Sequence, residues 1–165
     1  SYATSELKQH VSKLKNLKHL ILSFSNFTNL VSSDLQNAVI FLKDMPGLKE
    51  IQLPKAETNP QEGLLFLRAI GSLQNLEKLV LFRGEIFSCD EMYIELAHSL
   101  SQLKKLKHCS LNILERQLLR ICYNLEALAM LKEMTHLKLC LNQFQPSKLP
   151  WMYFFNAMNK IQSQL

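Results

Sequence analysis

Apolar and polar positions along the chain fall into one frame that comes round five times. In the first copy Leu17, Leu20, Leu22 and Phe27 stand at relative positions 0, 3, 5 and 10. The frame returns as Leu48, Ile51, Leu53 and Thr58, then as Leu76, Leu79, Leu81 and Ile86. A fourth copy holds Leu106, Cys109 and Leu111, with Leu114 near its end, and a fifth holds Met134, Leu137, Leu139 and Phe144. Successive copies start 31, 28, 30 and 28 residues apart. Self-similarity at such a period marks stacked units that share one continuous core. Inside each copy, apolar positions 3 and 5 flank a single residue, the alternation of a half-buried strand. Strands are predicted near 18–24, 49–53, 78–82, 107–111 and 136–141.

Helical spacing fills the gaps. Leu7, Val11 and Leu14 share one face of a helix over 5–14. Ser33 and Gln36 stand in capping-box spacing before a helix over 34–44, which Pro46-Gly47 ends. Asn59-Pro60-Gln61-Glu62 combines an N-cap, a first-turn proline and a capping acid. The helix it opens runs to Ile70, and Gly71 closes it. Ser88 and Glu91 open the next, which buries Leu96, Leu100 and Leu103. A long helix is predicted over 115–132, and a terminal one over 147–165 with Trp151, Phe154, Phe155, Met158, Ile161 and Leu165 on its stripe. Strands linked in one direction by helices form a parallel sheet. Strands stack ~4.8 Å apart and helices ~8–10 Å apart, so such a stack curls. The expectation is a single α/β domain over 1–165, a curved solenoid with five strands on its concave face and helices on its convex face.

The frame L-x-x-L-x-L-x-x-N/x-x-L resembles the leucine-rich repeat family, over nearly the whole chain. A 28–31-residue period with full helices resembles the ribonuclease-inhibitor-like class, which includes the sensing domains of NOD-like receptors. The resemblance implies a non-catalytic protein–protein interaction scaffold that binds a partner on its concave sheet. Its alternatives are a ligand-sensing segment of a larger NOD-like-receptor-type protein of innate immunity, or a structural subunit of a large assembly. Extracellular members of the family carry clustered cysteines in their caps. Cys89, Cys109, Cys122 and Cys140 are scattered, so reduced thiols and a cytoplasmic location are expected. The chain begins without Met, as a piece cut from a longer protein would.

Alternation along each strand sends three columns outward. The first is His19, Glu50, Lys78, His108 and His136; the second is Ile21, Gln52, Val80, Ser110 and Lys138. The third contains Phe82 and Asn112, with Ser23, Pro54 and Cys140. Val80 and Phe82 make an apolar centre inside a polar rim, as interface anchors do. Phe82→Ala is expected to weaken the partner by ~1–3 kcal/mol.

Composition removes other functions. The longest apolar run, Leu64 to Leu67, is four residues, far short of the ~18 a membrane span needs. Net charge is +5. The lysines cluster at 13, 15 and 18 and again at 104, 105 and 107, with Glu50 and Glu77 between. No basic stripe crosses the array, so nucleic acid is not the expected partner. The chain has four glycines, with no phosphate-binding loop and no nucleophile elbow. His108 and His136 should be close, but no carboxylate joins them, so no metal is expected. Neither catalysis, a cofactor nor a small-molecule ligand is expected, and the sequence leaves the oligomeric state open.

Overall fold

The structure, a computed structural model, describes residues 16–21, 42–53, 60–81, 89–114 and 118–142, with Met152, Phe155, Asn156, Met158 and Asn159. Strands β1 (His19–Ile21), β2 (Glu50–Leu53), β3 (Lys78–Leu81), β4 (His108–Leu114) and β5 (His136–Asn142) lie side by side in chain order. Every neighbouring pair is parallel. Three helices are described: α1 (Pro60–Gly71), α2 (Asp90–Gln102) and α3 (Leu118–Ala129). α1 packs on α2, and α2 on α3. The fold is therefore α/β, with one all-parallel sheet.

A short turn leads into each of β2 to β5, and its geometry recurs. The amide of Leu73 donates to the carbonyl of Ile70, and that of Leu76 to Leu73. Leu42/Met45/Leu48, Leu100/Leu103/Leu106 and Leu128/Leu131/Met134 do the same. All these nodes are buried apart from small edges, because a three-residue spacing turns one side chain per step toward the core. The strand that follows is then hung on its neighbour. Lys18 O accepts from both Lys49 N and Glu50 N, and Lys49 O from Glu77 N and Lys78 N. Glu77 O and Lys107 O accept in the same way from the next strand.

The core is a row of large apolar side chains running across the strands. Leu48, Leu76 and Leu106 are fully buried, as are Ile51 and Leu79, with Cys109 next in that row. Leu81 and Leu111 lie beneath them. Leu79 and Leu111 are inside, as the alternation predicts, while Leu20 and Leu137 are only partly buried against the core. These two sit on the end strands, which have a strand neighbour on one side alone in the described sheet. The side chain of Leu53 is outside the described set. Burial holds the Cys109 thiol neutral, with its pKa pushed up to about 12. It acts as a small hydrophobe in a leucine row.

Helices fill the other layer. Pro60 starts α1 and Glu62 lies in its first turn, both suited to a helix N-terminus. Gly71 ends α1 against α2: a Cβ there would come within 3.0 Å of Ser99 Cα and Cβ. Only the missing side chain lets the helices approach so closely.

Most element ends fall within a residue of the sequence expectation, and three differences are informative. β4 extends to Leu114, not 111, because β4 and β5 pair over seven residues. The helix expected over 115–132 is α3, Leu118–Ala129. Residues 115–117 lie outside the described residues, and Leu131 belongs to the turn before β5. α2 has Cys89 as N-cap, in extended backbone and without a side-chain cap bond. Glu91 follows two residues on, its carboxyl held below the usual range by its own N–H and then by Cys89. The expected helix over 5–14, most of that over 34–44 and most of the terminal segment lie outside the described residues. Helical backbone is present at Met152, Phe155, Asn156, Met158 and Asn159. Met158 packs on the core, while Met152 and Phe155 are exposed.

Candidate functional site

Side chains at frame positions 1, 2 and 4 stay at least partly open to solvent wherever they are described. Positions 0, 3 and 5 point inward and carry the core. The candidate site is this outward face. The sheet register aligns the first column as expected: His19 beside Glu50, Glu50 beside Lys78, Lys78 beside His108, and His108 beside His136. The second column, Ile21, Gln52, Val80, Ser110 and Lys138, is aligned likewise. Asn112 stands beside Cys140 in the third. Phe82, Ser23 and Pro54 lie outside the described residues, as does the side chain of Ile21.

Electrostatics divide the face. Glu50 collects three donors: Lys78 Nζ at 2.6 Å, His19 Nδ1 at 3.1 Å and Gln52 Nε2 at 3.1 Å. The Lys78 hydrogen bond is the main reason the Glu50 carboxyl sits below its usual range, against an opposing effect of burial. One row nearer the turns, Glu77 is gripped by Lys49 Nζ at 2.6 Å and Lys107 Nζ at 3.1 Å. These two bonds, Lys49's first, lower the Glu77 carboxyl to about 2. The Glu50–Lys78 pair is thus one edge of a larger ladder across β1 to β4.

At the β4–β5 end the chemistry changes. The imidazoles of His108 and His136 stack with centroids 4.4 Å apart and planes 23° from parallel. Thr135 Oγ1 lies 2.9 Å from His136 Nδ1. Lys138 is exposed and joins no ion pair among the described residues. Stacked rings turn their nitrogens along parallel planes and do not converge on one point. Among the described residues no three His, Cys, Asp or Glu side chains come together as a metal site would require. No described helix is long and apolar enough to cross a membrane.

The row Lys18, Lys49, Glu77, Lys107 and Thr135 was not among the columns read from the sequence. Strict alternation would turn position 1 inward. The turn bond that ends at position 0 delays the strand by one residue, so positions 1 and 2 both face out. The signal was present, since positions 1 and 2 are polar in every copy.

Neither a family model nor a curated protein matches the chain. A solved structure described as Leiomodin-1 actin-binding site 2 (ABS2) has the same fold. It superposes with a TM-score of 0.60 at 11% sequence identity, covering 96% of this chain and 89% of that one. Identity at this level concerns the fold alone.

Proposed function

We propose that the chain is a non-catalytic protein-binding scaffold of the leucine-rich repeat type, with the outward face of the sheet as its concave recognition surface. The observation that carries this reading is the face itself. Five parallel strands in register line up polar columns that no described helix covers. Their residues change in charge and polarity from strand to strand while the inward ones stay apolar, as expected where outward positions are chosen for contact and not for packing. The fold neighbour is described as an actin-binding site, a precedent for a protein ligand on this architecture. Recurring turns and carbonyl-bridged strand starts support the solenoid reading. Cys89, Cys109 and Cys140 are free thiols, which fits a reducing cytoplasm.

The test compares partners captured by the unaltered chain, by Val80→Glu in the middle of the face, and by Glu126→Lys at an exposed position of α3. A partner lost with Val80→Glu and kept with Glu126→Lys supports the reading. Equal capture by all three would sink it.

A further inference from the structure

We infer that the β4–β5 end of the outward face is built to receive an acidic protein segment. The inference rests on the scaffold reading and names its partner's chemistry. Among the described residues of rows 1, 2 and 4 there are five lysines, Lys18, Lys49, Lys78, Lys107 and Lys138, against two glutamates. That surplus of three is more than half of the whole chain's net +5.

The surplus is not evenly spread. Glu50 and Glu77 lie on β2 and just before β3, and between them they occupy Lys49, Lys78 and Lys107. In the same rows β4 and β5, with the residue that leads into each, carry Lys107, His108, Ser110, Thr135, His136 and Lys138, without a carboxylate. This end therefore presents donors and cations, and the one ion pair it makes among the described residues is that of Lys107 with Glu77. Of the five lysines, Lys18 and Lys138 join no ion pair among the described residues; Lys18 lies at the β1 end next to His19, which is bonded to Glu50, and Lys138 lies at the end whose rows carry no carboxylate.

An incoming Asp or Glu meets a charge-assisted donor at Lys138 and imidazole and hydroxyl donors beside it. The same residue on the β2 side would meet Glu50 and be repelled, so the face also sets the direction of approach. A protein segment suits this end better than nucleic acid. Continuous nucleic-acid binding needs a basic track and open aromatic platforms. Here Glu50 and Glu77 interrupt the track, and the two rings stack on each other.

The experiment uses the full chain and a display library of random twelve-residue peptides. Binders are selected on the unaltered chain and sorted into face-dependent and face-independent sets by whether Val80→Glu weakens them, and synthetic copies are measured by fluorescence anisotropy at low and moderate salt. Because Lys138 is exposed, Lys138→Glu should melt like the parent, and Lys138→Met checks the loss of charge alone. The expected result is that face-dependent binders are rich in Asp and Glu. Each should lose tenfold or more in affinity with Lys138→Glu, lose less with Lys138→Met, and weaken with salt. Lys43→Glu, at an exposed helical position ahead of β2, should leave them unchanged. Face-dependent binders that are neutral or basic would overturn the acidic inference and leave the scaffold reading standing. Binders indifferent to Lys138→Glu, and also to Val80→Glu, would overturn both. Tighter binding of a twelve-nucleotide oligo-U at this end would overturn the protein assignment.

Discussion

On the inner side of the sheet, Ile51, Leu79 and Cys109 occupy one row and all are buried. On the outer side, the adjacent row runs His19, Glu50, Lys78, His108 and His136. The same strands carry both rows, so the backbone does not explain the contrast. Inside, each side chain must fit a slot shaped by the strand before it and the helix behind it, and close packing tolerates little change of volume. Outside, the only shared demand is solubility. Sameness therefore reports the fold, and difference reports what the surface is for.

If that division holds, inner substitutions should dominate stability. Leu79→Ala removes a fully buried side chain at the centre of the row and should cost ~2–5 kcal/mol, read by chemical denaturation. Gly71→Val tests the seam between α1 and α2. With backbone and Cβ of Ser99 only 3.0 Å from the new Cβ, the helices must part, at ~1–3 kcal/mol. Cys109→Ser keeps the size and adds a buried hydroxyl in an apolar row, for ~1–3 kcal/mol. Cys109→Val should be nearly neutral by comparison. A Cys109→Ser protein as stable as the parent would show that the row is wetter than its burial indicates.

Outer substitutions should be the smallest, and visible mainly through pH. Glu77 ionises at about 2 in the folded chain, against an ordinary 4.5. Its contribution is present above 4.5 and lost as pH falls through about 2. Glu77→Gln should flatten that part of the stability–pH curve while leaving the neutral melt within error, since exposed ion pairs are weak and salt-screened. An unchanged acid limb would mean that Lys49 and Lys107 do not hold Glu77 in solution.

The fold was legible because its largest demand is periodic. Leu48, Leu76 and Leu106 announce their places by spacing alone, and the column order His19–Glu50–Lys78–His108–His136 followed from aligning the frames. Element ends were less legible. Ile113 and Leu114 suit a strand and a helix equally, and only pairing with β5 decides between them. Cys89 is an unusual N-cap with no side-chain bond, so the capping rule pointed one residue early. The Glu77 bridge was missed because it depends on a half-step in the strand phase, set by a turn bond that polarity alone does not specify.

The doubled acceptors at Lys18, Lys49, Glu77 and Lys107 bear on how such a chain can change length. Each carbonyl clamps two successive amides of the next strand, so the clock of inward and outward positions is reset at every strand start. Spacings between paired strand starts of 31, 28, 30 and 28 residues all arrive at the same phase. The differences in spacing therefore arise ahead of the turn nodes, and the outward columns stay aligned. One residue added between a turn node such as Leu73 and the clamp at Glu77 would instead turn Glu77, Lys78 and Val80 out of step with their neighbours. From the first turn node to the clamp the count of residues is the same in all four copies, so this molecule gains or loses residues ahead of those nodes and not between them and the clamp.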